Sequence, residues 1–254
     1  MTNYLSATRH PWACLLFLVP LLAVYEGGVL WLGGDQADRM RNGADAWLRW
    51  GLERFGAGHI LAAPLVVLAV MLVWSWWRWL DRPTDLVSTI FGMAFESCLF
   101  AVVLWQFSRN FGPILDGLGV QLRVGVPPTA WGGTWGVGAT TPAMQEMAKI
   151  LTFIGAGIYE EVLFRLGLFV GLFSTLRILQ FPRVVALPLA MIATALAFAA
   201  AHHIGPYGEP MRADYFIFRT SAGLYFTLLF VTRGFGVAVG AHAGYDVLVG
   251  VSVG

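Results

Sequence analysis

Residues 60–80 read ILAAPLVVLAVMLVWSWWRWL. One charge, Arg78, interrupts this run, and it lies among Trp74, Trp76, Trp77 and Trp79. About 20 apolar residues suffice to cross roughly 30 Å of hydrocarbon as a helix. An aromatic cluster with a cation reaching past it is the pattern of a membrane–water interface. The bilayer is therefore the expected solvent. Working outward, the same texture recurs at 12–32, 86–107, 143–164, 166–179, 184–204, 215–232 and 235–253. The expected architecture is an all-α, polytopic membrane bundle of about eight transmembrane helices with an intramembrane active site. Barrel strands would instead show segments of about ten alternating residues. The run 12–32 is too long for a cleaved signal, carries Pro20 at its middle and shows no small-residue cleavage site.

Composition agrees. Of 254 residues, 57% are hydrophobic and 12% charged, about half the charge density of a soluble domain. That excludes an ordinary soluble enzyme and a disordered chain. A net charge of +1 with Lys149 as the single lysine excludes a nucleic-acid partner. Cys14 and Cys98 lie in apolar runs and read as two buried thiols. Small residues at spacing four, Gly167/Gly171 and Gly236/Gly240/Gly244, read as faces where helices approach closely. Residues 33–59 hold four Arg and four acids beside Trp47, Leu48, Leu52 and Phe55, the pattern of an amphipathic helix lying on the interface. Residues 112–142, rich in Gly, Pro, Thr and Trp, form a candidate gate with Trp131 and Trp135 at the interface. Arginine counts in alternate loops favour the side of 33–59 as cytoplasmic. The chain reads as one integral membrane domain, 1–254, with N-terminal helices and loops over 1–142 and the polar motifs in 143–253.

An ionisable group in a membrane helix costs roughly 2.5–3.5 kcal/mol on insertion scales and is a functional candidate by default. Three clusters stand out. In Glu160-Glu161-Val162-Leu163-Phe164-Arg165, Glu161 and Arg165 stand at i,i+4 in the order that suits an ion pair. Glu160 lies on another face and is left for chemistry; a purely structural network of all three is the bland alternative. In Phe198-Ala199-Ala200-Ala201-His202-His203, Phe198 and His202 share a face, and His203 reads as a satisfied core residue or a neighbour of Gly205-Pro206. In His242-Ala243-Gly244-Tyr245-Asp246, His242 and Asp246 share a face, which a structural hydrogen bond would explain equally well. Sites in helix bundles are built from such side chains on facing helices. Glu96 either faces the cavity of the site or pairs with Arg109 near the helix end, the structural reading being preferred because it lies outside the motifs, and Glu26 reads the same way.

Glu160-Glu161-x-x-x-Arg165, then Phe198-x-x-x-His202, then His242-x-x-x-Asp246 resembles the three-motif signature of the CPBP family, the CAAX-protease and bacteriocin-processing (Abi) intramembrane endopeptidases. The resemblance covers 143–253; the first 142 residues match only in being membrane helices. It implies a metal-independent glutamic endopeptidase without cofactor, acting on a membrane-anchored peptide or protein in the bilayer. Glu160 and His202 would activate water, His242 and Asp246 would support the oxyanion and the site, and Glu161, Arg165 and Phe198 would shape it. Asp246 would either carry a proton or orient His242, since an ionised carboxylate repels an oxyanion. The location implied is a multi-pass integral membrane protein, in the inner membrane if the source is bacterial. Two other classes remain open. A zinc protease could use Glu160, His202, His242 and Asp246 as ligands. A non-catalytic scaffold, or a transporter relaying protons through Glu96 and Glu160, could also hold such charges.

Overall fold

The computed structural model describes residues 3–120, 141–205 and 208–252. The candidate gate residues Trp131 and Trp135 lie outside them. All regular structure among the described residues is helical: α1 (Tyr4–Thr8), α2 (Pro11–Gly33), a 3-10 segment (Gly34–Met40), α3 (Gly43–Arg54), α4 (Ala62–Trp77), α5 (Leu86–Arg109), α6 (Phe111–Gly117), α7 (Pro142–Glu161), a π-helical segment (Val162–Phe169), α8 (Val170–Ile178), α9 (Arg183–Ala201), α10 (Ala213–Arg233) and α11 (Phe235–Ser252), with a short 3-10 turn at Trp79–Asp81.

Four of these helical runs are long and apolar enough to cross a bilayer: Pro11–Met40, Leu86–Arg109, Arg183–Ala201 and Ala213–Arg233. Ala62–Trp77 and Phe235–Gly250 are apolar but shorter. The expected count of about eight spans is therefore not confirmed among the described residues. The largest departure is at 143–179, where two spans were expected. Backbone dihedrals stay helical from α7 through the π segment into α8, so no turn separates them.

Lipid-facing character is visible on α5, where Phe91, Phe95 and Leu99 are exposed one turn apart. An exposed apolar stripe of this kind needs an apolar solvent. At the other extreme, α11 is buried on nearly every side, through Phe235, Val237, Ala238, Val239, Ala241 and Tyr245. It packs chiefly on α5 and α7, with α10 and α2 completing its surroundings. Its glycines permit this. A Cβ on Gly236 would strike the Met93 side chain, on Gly240 the Ser97 side chain, and on Gly244 the Ala101 Cβ at 3.0 Å. Gly236/Gly240/Gly244 is thus a packing ladder against Met93, Ser97 and Ala101 of α5. Gly167 and Gly171 are not: a Cβ there would meet only the Val162 carbonyl oxygen at 3.5 Å, or nothing. On α7, a Cβ on Gly157 would lie 2.6 Å from the Ala243 backbone nitrogen of α11. That contact sets the distance between the two helices carrying most of the candidate site.

Residues 33–59 do not simply lie on an interface. The exposed aromatics Trp47, Trp50 and Phe55 suit one, but Arg41, Asn42 and Asp45 are buried. Arg41 Nη1 lies 3.1 Å from Glu26 Oε2 and 2.8 Å from Asp45 Oδ2, and Arg49 Nη2 lies 3.1 Å from Glu26 Oε1. Buried charges persist when they are paired, and this loop supplies the cations for Glu26 of α2. Glu96 is paired as well, with Arg233 at the end of α10 rather than with Arg109, whose guanidinium lies over Trp105. Cys14 is buried, whereas Cys98 is exposed, because its face of α5 turns outward.

Gly157→Ala is expected to force α7 off α11 and to cost about 1–3 kcal/mol as an overpacking change. Gly171→Ala, which meets nothing, is expected to be neutral or slightly stabilising through helix propensity. Thermal unfolding of the two purified variants in detergent compares them directly.

Candidate functional site

The three motifs converge where the end of α7, the end of α9 and the middle of α11 meet, with α10 as a fourth wall. Glu160, Glu161, Arg165, His202, His242 and Asp246 are all buried.

Glu161 is the hub. Its Oε1 lies 2.9 Å from Arg165 Nη1 and 2.8 Å from His242 Nδ1. The ion pair suggested by the i,i+4 spacing is present, although Arg165 belongs to the π segment. The wider π turn begins immediately after Glu161, and such bulges recur at functional sites. Arg165 also donates from Nη2 to the Gly223 carbonyl of α10 at 3.1 Å, and its guanidinium lies over the Phe198 ring at 4.7 Å. One cation thus ties the α7 extension to α9 and α10.

His202 follows the last residue of α9, where helix carbonyls lack intrahelical partners. Its Nδ1 lies 2.8 Å from the Phe198 carbonyl oxygen. A carbonyl only accepts, so Nδ1 carries the proton and Nε2 of the neutral ring is an acceptor. Phe198 also meets the His202 ring edge-on at 4.7 Å, so the shared face places both together. His203, half-buried, bonds instead to the Glu209 carbonyl through Nδ1 at 3.0 Å, while its Nε2 has no hydrogen-bond partner among the described residues, so it is not the fully satisfied core histidine expected.

Glu160 points to the space between the histidines. Its Oε2 lies 3.7 Å from His202 Nε2 and 3.7 Å from His242 Nε2. Asp246 Oδ2 lies 3.8 Å from His242 Nε2. These separations exceed a direct hydrogen bond and match polar groups that a small ligand or water bridges. Neither oxygen of Glu160 or Asp246 has a hydrogen-bond partner among the described residues, an unusual state for buried polar atoms. The orienting bond to His242 comes from Glu161 through Nδ1, not from Asp246. No group of three or more His, Cys, Asp or Glu among the described residues is arranged to hold a metal ion.

The sequence motifs did not reveal the fourth wall. Phe226 stacks on His242 with centroids 4.3 Å apart and planes at 16°. Arg219, on the same face of α10 one turn before Gly223, is buried and ion-paired with Glu209 at 2.5 Å. The signal for Arg219 was an ionisable residue in an apolar run, the same rule that identified the other three clusters.

Residues 143–248 match the family described as Rce1-like, type II CAAX prenyl endopeptidase Rce1-like. The matched segment contains all three motifs, and the family it matches is the one those motifs resemble. No curated protein and no solved structure matches this chain.

Replacing Arg165 by Leu leaves Glu161 buried without its cation. A loss of about 3–5 kcal/mol is expected from breaking a buried pair on one side. Arg165→Lys keeps the charge but not the guanidinium fork, and is expected to lose less. Denaturant melts of both variants in detergent measure the order.

Proposed function

We propose that this protein is a glutamic-type intramembrane endopeptidase that cuts a peptide bond in a membrane-anchored peptide or protein. The observation that carries the reading is Glu160, with its carboxylate oxygen 3.7 Å from Nε2 of both His202 and His242 inside an apolar bundle. A water held between these groups loses its proton to Glu160 or to His202 Nε2, and its oxygen adds to the scissile carbonyl carbon. General-base assistance of this kind contributes typically about 10²–10⁴-fold. His242, held at Nδ1 by Glu161, donates from Nε2 to the oxyanion when it carries both ring protons. Asp246, when protonated, donates beside it. Donors preorganised away from bulk water are usually the largest single term in such reactions. Collapse of the intermediate breaks the C–N bond, and the proton taken from water passes to the leaving nitrogen. Glu161, Arg165 and Phe198 hold the geometry without touching the reacting atoms.

In this reading the chain crosses the bilayer several times, with α2, α5, α9 and α10 as spans and α4, α7 and α11 packed among them. The family's name supplies a substrate class, prenylated CAAX-type termini, but no residue named above selects the prenyl group over another anchor. Glu96 is held in an ion pair with Arg233, which leaves a proton relay through it without support.

The test uses purified protein in liposomes with detergent-extracted membrane proteins of the source cell. Mass spectrometry of chain termini is expected to find new termini with the wild type and none with Glu160→Gln, which should fold as the wild type does. Full cleavage by Glu160→Gln would sink the assignment. Loss of wild-type cleavage on adding a chelator, regained with zinc, would replace the glutamic mechanism with a metal one.

A further inference from the structure

The candidate site lies wholly within 160–246, yet the second buried polar cluster of the protein lies in the first 60 residues. The two meet on α7. Tyr159, the neighbour of Glu160, donates its hydroxyl hydrogen bond to Glu26 Oε1 at 2.5 Å. Glu26 is held in turn by Arg41 and Arg49. Tyr25, next to Glu26 on α2, donates to Asp45 Oδ2 at 2.8 Å, and its ring lies 5.6 Å from the Tyr159 ring. That Tyr25 ring also occupies the place a Cβ on Gly155 would take. Two consecutive residues of α2 therefore grip α7 one and two turns before the π segment, and cations from 41–49 fix the grip. Downstream of Glu160 the backbone enters the wider π turn, a departure from regular α-helix of the kind that recurs at functional sites.

We infer that Tyr159 is a positioning residue for the reaction. Its hydroxyl, locked to Glu26, sets the rotation of the last α-helical turn of α7 and so aims the Glu160 carboxylate between His202 and His242. The N-terminal helices, which contribute no side chain to the site, act on it through this bond. The inference rests on Glu160 being the base. Small displacements of a reacting group are costly: a 1 Å misplacement can lose about 10²-fold in rate.

Tyr159→Phe keeps the ring on Tyr25 and removes only the hydroxyl. Thr152→Val is the matched control. It deletes another buried hydroxyl of α7, one whose hydrogen bond goes to its own helix at the Ala148 carbonyl. Cleavage of the same extracted membrane proteins is followed under excess enzyme, so that the plateau rate separates from the half-saturating enzyme concentration. Tyr159→Phe is expected to lower the plateau rate by about tenfold or more, with half-saturation within about twofold and a melting temperature like that of Thr152→Val. Thr152→Val is expected to cleave at the wild-type rate. A wild-type plateau rate in Tyr159→Phe, or a loss shared equally by Thr152→Val, overturns the inference while leaving Glu160 in its role, provided Glu160→Gln is inactive. A fully active Glu160→Gln, or a wild type that produces no new termini, removes the base itself and the inference with it.

Discussion

The approach of α7 to α11 at Gly157 and Ala243 is the constraint on which the candidate site depends. Only a hydrogen in place of a Cβ lets the two backbones come this close. One turn further along α7 are Glu160 and Glu161, and immediately before Ala243 is His242. Side chains of ordinary length then meet: Glu161 reaches His242 Nδ1, and Glu160 faces its Nε2. A wider separation would leave the same residues as isolated buried charges, which a membrane interior tolerates poorly. Van der Waals packing of small residues is what draws helices together in lipid, so the force that assembles the bundle also assembles the candidate site.

Two buried knots of charge flank α7. One joins Glu26, Arg41, Asp45 and Arg49; the other joins Glu161, Arg165 and His242, with Glu160 and Asp246 beside it. The first knot has a cation for each carboxylate. The second is less complete, since the oxygens of Glu160 and Asp246 lack hydrogen-bond partners among the described residues. In the first knot every carboxylate oxygen has a partner and Arg41 Nη2 alone lacks one, whereas the deficit of the second includes its carboxylates.

Much of this was legible in the chain. Apolar runs located most of the helices, and the excess of exposed apolar side chains agrees with the solvent they implied. The Glu161–Arg165 pair follows from spacing, and so does the shared face of Phe198 and His202. Other readings failed for identifiable reasons. Residues 143–179 looked like two spans because hydropathy registers polarity and not continuity; the structure runs through them in one helical path with a π turn. Gly167 and Gly171 looked like a packing face because spacing cannot say whether a partner helix stands opposite. Glu96 was matched to Arg109 as the nearer in sequence, whereas Arg233 is the nearer in space. The charged loop at 33–59 looked interfacial because its amphipathic pattern does not show that Arg41 and Asp45 face a buried Glu26.

By itself, then, the sequence determined the solvent, the helical class and the residue types available for chemistry, because these depend on composition and on periodicity along one chain. Which groups face one another was decided only by tertiary structure. Spacing relates residues within a helix, and the partners of Glu160, His242 and Tyr159 lie on helices 40 to more than 130 residues away. Glycine contacts and ion pairs between helices set those distances, and no local pattern records them.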